Sequence, residues 1–117
     1  MKIDYNKVFN VKVRNADCLL HDICKLILVS LLKKKNPNTP IYTEHNPENP
    51  NDSYPDIFMR LKDRRYIWEI QKEITEKWKN KIIEKYNLPK YDLFIVPIKD
   101  LPTDINKLKE ELEKYVI

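Results

Sequence analysis

The spacing of apolar residues changes twice between residues 55 and 98, and these changes restrict the folds open to the chain. Residues 55–61 and 65–71 have strand patterns, and a charged turn, Lys62-Asp63-Arg64, separates them. From Ile74 to Tyr86 the apolar residues recur at helical spacing instead. Residues 91–98 form a nearly continuous apolar run, typical of a strand buried on both faces. This order predicts a mixed sheet whose last strand is parallel to a neighbour and is reached by a right-handed crossover.

The residues before this region predict a long helix and a short strand. Apolar residues recur at helical spacing from about Ala16, and three lysines at 33–35 suit the negative C-terminal end of a helix dipole. Asn36-Pro37 should stop that helix. Ile41–Glu44 is a short strand candidate, and an exposed loop follows it from Asn46 to Tyr54. Residues 9–14 also alternate as a strand does, either at a sheet edge or as an arm to a partner subunit.

A last helix is expected near the C-terminus, capped by Thr103 or Asp104. Its predicted inward residues are Ile105, Leu108, Leu112, and Tyr115 or Val116. Trp68 and Trp78 lie on apolar faces and are expected to be core residues. The chain of 117 residues suggests a single α/β domain over residues 1–117, with helices covering both faces of the sheet.

Composition excludes several classes of function. Glycine is absent, which excludes Gly-rich phosphate loops. The net charge of +4 permits nucleic-acid binding without being diagnostic of it. Cys18 and Cys24 lie six positions apart in one helix and cannot form a disulfide there. Together with His21 they lack the spacing of a zinc knuckle, so we interpret all three as ordinary helix residues. The longest apolar stretch, Leu26–Leu32, is too short to span a membrane, so we expect a cytoplasmic protein in a reducing compartment.

The hairpin at residues 55–71 carries the residues that indicate chemistry. Asp56 opens the first strand, and Glu69 and Gln71 lie two positions apart on the second. Because strand side chains alternate between faces, Glu69 and Gln71 share one face while Trp68 and Ile70 share the other. Two carboxylates from neighbouring strands make a hard-oxygen site that suits Mg²⁺ or Mn²⁺.

Two short stretches resemble the signature of the PD-(D/E)xK nuclease superfamily. They are Pro55-Asp56 and, with its glutamate thirteen positions after Asp56, Glu69-Ile70-Gln71. The element order is similar to the restriction-endonuclease-like αβββαβ core, a mixed central sheet flanked by helices. The size is similar to that of archaeal Holliday-junction resolvases. The resemblance implies that Asp56, Glu69 and the main-chain carbonyl of Ile70 hold the divalent cation. That cation would bind a phosphate oxygen, lower the pKa of the attacking water and stabilise charge on phosphorus.

Gln71 departs from the superfamily pattern, which usually has lysine at that position. An amide can orient a water but brings no charge, and Lys72 points to the opposite face. Lys62, or Lys77 from the following helix, could supply the missing positive charge. Glu44 is a candidate third carboxylate, preferred to Asp17 on the first helix, and His45 could lie at the rim of the site.

Two groups of cations are candidates for nucleic-acid contact. Lys77, Lys81 and Lys85 lie four positions apart on a helix, and Lys62, Arg64 and Arg65 cluster at the hairpin tip. A solvated helix face interleaved with glutamates is the alternative interpretation for the lysine row.

Three hypotheses for function follow. The first is a metal-dependent nuclease that hydrolyses DNA phosphodiester bonds with Asp56, Glu69 and Gln71. Because cutting both strands symmetrically needs two sites, it predicts a homodimer formed through the N-terminal arm or the last helix. The second is a catalytically inactive nucleic-acid-binding or assembly protein that retains the nuclease fold. The third is a structural interaction protein in which the hairpin is only a sheet edge.

Overall fold

A computed structural model describes residues 16–48 and 54–117 of the chain. Its elements in order are α1 (Ala16–Lys35), β1 (Ile41–Thr43), β2 (Ile57–Leu61), β3 (Arg64–Gln71), α2 (Glu76–Lys85), β4 (Tyr91–Pro97), a 3₁₀ turn (Ile98–Asp100) and α3 (Ile105–Glu113). The strand predicted over residues 9–14 and the side chains of Asp17 and Cys18 lie outside the described residues. No helix in the described ranges is both long enough and apolar enough to cross a bilayer.

The four strands form one mixed sheet in the order β1-β2-β3-β4. β1 pairs with β2 and β2 with β3 in antiparallel fashion, whereas β3 and β4 are parallel. The predicted mixed sheet, with its last strand parallel to a neighbour, is therefore confirmed. In the hairpin, Ile57 pairs with Trp68, so the next residues outward, Asp56 and Glu69, stand opposite each other.

Each face of the sheet packs against a different set of helices. On one face, α1 and α3 cover a buried cluster that includes Cys24, Leu28, Leu32, Ile57, Met59, Trp68, Ile70, Val96, Leu108 and Leu112. On the other face a smaller cluster of Phe58, Ile67 and Tyr86 packs with Ile82 of α2. Alternation along β3 produces this division, because Trp68 and Ile70 point to the first face and Ile67 to the second. The prediction that helices flank both faces is confirmed.

Three predictions about burial are wrong. Trp78 is only half-buried and belongs to neither cluster, because α2 packs chiefly through Ile82 and Tyr86 near its C-terminal end. Ile105 is 65% exposed, since it occupies the first turn of α3 beside the Asp104 cap, which accepts hydrogen bonds from two main-chain N–H groups. β4 is half-buried except at Val96, because no described strand pairs with its outer edge.

Candidate active site

Asp56 and Glu69 meet where the pairing of β2 with β3 stops. They are one step beyond the Ile57–Trp68 pair, which places their Cβ atoms about 5 Å apart on the same face. That face is the one covered by α2, since the neighbours of Glu69 in β3, Trp68 and Ile70, belong to the opposite cluster. The two carboxyl groups lie within hydrogen-bond reach of each other. The antiparallel register therefore creates the carboxylate pair that the sequence predicts.

The surroundings of Glu69 favour its protonated form. Burial raises the pKa of Glu69 to about 7, and the negative charge of Asp56 and the hydrogen bond between the two carboxyl groups act in the same direction. A hydrogen bond that the Tyr86 hydroxyl donates to Glu69 Oε1 at 3.1 Å and the positive charge of Lys85 lower this pKa. Glu69 therefore keeps its proton to a higher pH than an exposed glutamate does. A buried carboxyl of this kind is stabilised as an anion when a cation binds beside it.

Asp56 is held by one main-chain and one side-chain donor. Its Oδ2 accepts a hydrogen bond from the Ile70 N–H at 2.7 Å, and its Oδ1 lies 3.1 Å from His21 Nε2. The contact with Asp56 raises the pKa of His21, and the second ring nitrogen lies 3.4 Å from Asp22 Oδ1. His21, from α1, therefore contacts and orients the Asp56 carboxylate, and its protonated form pairs with that carboxylate.

The main chain of Ile70 adds a possible oxygen ligand at the same place. In a strand, the N–H and C=O of one residue point to the same edge. Because the Ile70 N–H points to Asp56, its carbonyl also lies on the side of β3 where β2 has ended. Gln71 is half-buried and shares the face of Glu69, two residues further along β3. The predicted residues Asp56, Glu69, Ile70 and Gln71 are thus neighbours.

Glu44 is not brought into this group by its side chain. The register places its backbone beside Asp56, with the Glu44 N–H bonded to the Asp56 carbonyl at 3.2 Å. Glu44 has a left-handed backbone, with φ of 54°, and its Oε1 lies 3.1 Å from Lys25 Nζ on α1. Its side chain is 62% exposed, and among the described residues it forms no group with Asp56 and Glu69 that could hold a metal ion. His45 is exposed and packs its ring against Tyr42.

The two predicted basic groups lie on different elements, one around the β2–β3 turn and the other on α2. Lys62 lies in the β2–β3 turn, so the length of β2, about 17 Å, separates it from Asp56. It cannot supply the charge that Gln71 lacks. Arg64, at the same tip, makes two hydrogen bonds to Asp92 at 2.7 and 2.8 Å. Lys77 and Lys81 are exposed on α2, in the helical row that ends at Lys85.

Three residues of the site are missed by the sequence interpretation. His21 is interpreted there as an ordinary helix residue, because nothing in a helical pattern shows which strand end the helix faces. Tyr86 is assigned to the apolar stripe of α2, although a buried tyrosine hydroxyl needs a hydrogen-bond partner, and this rule could have suggested a nearby carboxylate. Lys85 is only the last member of a lysine row in the sequence.

The donor set fits an oxygen-preferring cation better than zinc. Among residues 16–48 and 54–117, no group of three or more His, Cys, Asp or Glu side chains is placed to hold a metal ion. Mg²⁺, however, commonly binds through one or two carboxylates and keeps several waters. Cys24 belongs to the core, and burial raises its pKa to about 11, so it stays a neutral thiol. Asp56, Glu69 and the Ile70 carbonyl are the available ligands.

Replacing Tyr86 by Phe tests the electrostatic description of the pair. Without the hydroxyl that donates to Glu69, we expect the pKa of Glu69 to rise above its wild-type value of about 7. A pH titration of the Glu69 carboxyl carbon by NMR measures this change. Tyr42→Phe is the control, because it removes a hydroxyl from the same face of the sheet without touching Glu69. An unchanged pKa in Tyr86→Phe would refute the assigned hydrogen bond.

A comparison of this chain with family models, curated proteins and solved structures found no match.

Proposed function

We propose that this chain is a metal-dependent nuclease that hydrolyses DNA phosphodiester bonds, with the restriction-endonuclease-like core that its sequence resembles. One observation carries the proposal: Asp56 and Glu69 stand opposite each other, buried enough to raise the pKa of Glu69, at the point where β2 leaves the edge of β3 open. Perturbed carboxyl groups brought together in this way are typical of functional sites.

The arrangement of elements supports the same proposal. The described chain runs α1-β1-β2-β3-α2-β4, which is the αβββαβ order of that nuclease core. Asp56 directly precedes the second strand of the meander and Glu69 lies in the third, at the places that the PD-(D/E)xK resemblance implies.

The residues of the site have separate tasks in this mechanism. Asp56, Glu69 and the Ile70 carbonyl would hold Mg²⁺ or Mn²⁺. When bound, the cation supplies Lewis-acid stabilisation of the phosphate and lowers the pKa of the attacking water. His21 and the Ile70 N–H orient the Asp56 carboxylate, and the Tyr86 hydroxyl orients Glu69. The Gln71 amide aligns the water through its donor and acceptor groups.

Lys85 is the residue that we assign to the role of the missing lysine. Gln71 contributes no charge, and stabilisation of transition-state charge by one preorganised group is typically worth about 10²–10³-fold in rate. Lys85 acts on Glu69 through its positive charge and lies 5.7 Å from the centre of the Tyr86 ring. It therefore contributes positive potential at the pair from α2 rather than from β3.

A second candidate function is an inactive nucleic-acid-binding protein that retains this fold. The observation that favours it is the contact between His21 Nε2 and Asp56 Oδ1, which gives the carboxylate a partner without a metal. The same chain would then use its exposed lysines on α2 for binding alone.

Incubation with nucleic acids separates the two functions. The full chain is incubated with supercoiled, linear, single-stranded and four-way-junction DNA in Mg²⁺, Mn²⁺ or EDTA. The nuclease proposal predicts cleavage with either metal and none in EDTA. Tight, salt-sensitive binding without cleavage in any condition would instead support the inactive protein. A measurement of the mass in solution tests the homodimer that is expected of an enzyme cutting duplex DNA.

A further inference from the structure

The surface of α2 that borders the carboxylate pair carries an aromatic residue with no structural task in the core. α2 has no buried residue, and Trp78 is half-buried outside both apolar clusters. Its main chain is fixed at the start of the helix, because the Thr75 hydroxyl accepts a hydrogen bond from the Trp78 main-chain N–H at 3.1 Å. A large indole left partly open to solvent is available for a ligand.

Lysines flank this indole on the same side of the helix. Trp78, Lys81 and Lys85 lie within about 60° of one another around the helix axis, and we call them the Trp–Lys flank. Lys77 lies one turn before Lys81. Within the described ranges, neither Lys77 nor Lys81 forms an ion pair, unlike Arg64, Arg65 and Lys90, which are paired with acids. The flank therefore presents unneutralised positive charge beside an aromatic face.

The Trp–Lys flank is continuous with the candidate active site. Lys85 acts on Glu69 through its charge, and the next residue, Tyr86, bonds to Glu69 directly. Another aromatic residue, Tyr54, is 69% exposed and lies two positions before Asp56. Aromatic surface thus occurs both on α2 and on the segment before β2, and the positive charge lies on α2.

We propose that the Trp–Lys flank binds an unpaired nucleobase, which stacks on Trp78. The adjoining phosphates would contact Lys81 of the flank and Lys77, which lies one turn before it. The proposal rests on the proposed nuclease function and specifies its substrate class: nucleic acid with unpaired bases next to the bond to be cut, in a single strand or at a branch. The reason is geometric, because the bases of a regular duplex present only their edges in the grooves, whereas an indole stacks on a base face.

Binding in EDTA tests the site without cleavage. The full chain is titrated with labelled oligothymidine, oligouridine and a duplex of equal length. We expect both single strands to bind more tightly than the duplex and to quench the tryptophan emission. The quenching would come from Trp78, because Trp68 is fully buried and donates its indole N–H to the Tyr115 carbonyl. Stacking on the indole does not depend on the sugar. A preference for oligothymidine or for oligouridine would therefore show whether the bound base comes from DNA or from RNA.

Variants of α2 assign the binding to the flank. Trp78→Leu is expected to weaken single-strand binding by about tenfold or more, and Trp78→Phe, which retains a ring, by less. Lys81→Gln should also weaken it. The matched control Lys79→Gln should leave it within about twofold, because Lys79 lies about 160° from Lys81 around the axis of α2. Circular dichroism checks that each variant remains folded.

Two results would overturn the base-binding site: equal or tighter binding of the duplex, or an unchanged affinity in Trp78→Leu. Either result can be distinguished from a failure of the nuclease proposal. Metal-dependent cleavage with unchanged affinity in Trp78→Leu removes the base-binding site and retains the nuclease. Trp78-dependent binding of single strands without cleavage in any metal retains the binding site and removes the nuclease.

Discussion

Asp56→Asn is expected to reduce metal-dependent cleavage by at least about 10³-fold while leaving the fold intact. The amide can still accept the hydrogen bond from the Ile70 N–H, so the end of β3 keeps its main-chain partner. It has no charge, however, and the divalent cation loses one of its two carboxylates. The rate of cleavage at saturating Mg²⁺, measured on whichever DNA the wild-type chain cuts best, checks this result.

Asp63→Asn is the matched control for that experiment. Asp63 lies in the β2–β3 turn at the opposite end of the hairpin, where its carboxylate is exposed and bonds to Lys90. The same change of chemistry there should leave the cleavage rate within about twofold, because surface ion pairs contribute little. Equal losses in the two variants, or full activity in Asp56→Asn, would remove Asp56 from the catalytic site.

Glu69→Gln is expected to make the metal-free chain more stable at alkaline pH. Glu69 has a pKa of about 7 in the fold against an ordinary value of about 4.5, so the folded chain holds a proton that the unfolded chain has lost between these values. The free energy of unfolding therefore falls as pH rises from about 5 to 8, by on the order of 3 kcal/mol from this group. Glutamine keeps the shape without the charge and removes that loss.

Urea denaturation across this pH range measures the effect. His21 adds a slope of the same sign, because its raised pKa contributes stability that is lost as pH rises through that value, so Glu69→Gln should flatten the profile without levelling it. Glu84→Gln, on the exposed surface of α2, should leave the profile unchanged. Excess Mg²⁺ should restore stability to the wild-type chain above pH 7 and much less to Glu69→Gln. Identical profiles for wild type and Glu69→Gln would contradict the assigned burial of this carboxylate.

The sequence predicts the hairpin well because its determinants are local. Strand alternation, a charged turn and an apolar partner face are enough to place Asp56 opposite Glu69 once Ile57 pairs with Trp68. The helices and the parallel last strand follow from the change of period after Gln71. These features depend on neighbours in sequence, and the structure reproduces them.

The parts that the sequence does not predict depend on contacts between distant elements. His21 reaches Asp56 only because α1 crosses the open end of the hairpin. The Glu44 backbone lies beside Asp56, but Glu44 has a left-handed backbone and its carboxylate contacts Lys25. Trp78 has core spacing, yet α2 packs through Ile82 and Tyr86 instead. Periodicity identifies the apolar side of a helix but not how much of that side finds a partner.

The central claim is that Asp56 and Glu69 form a divalent-cation site, and a Mn²⁺ titration followed by electron paramagnetic resonance tests it most directly. Free Mn²⁺ is measured in the presence of the wild-type chain, Asp56→Asn and the control Asp63→Asn. We predict that the wild type and Asp63→Asn bind Mn²⁺ with equal affinity and that Asp56→Asn binds it at least about tenfold more weakly. No binding by the wild type, or equal binding by all three chains, would contradict the claim.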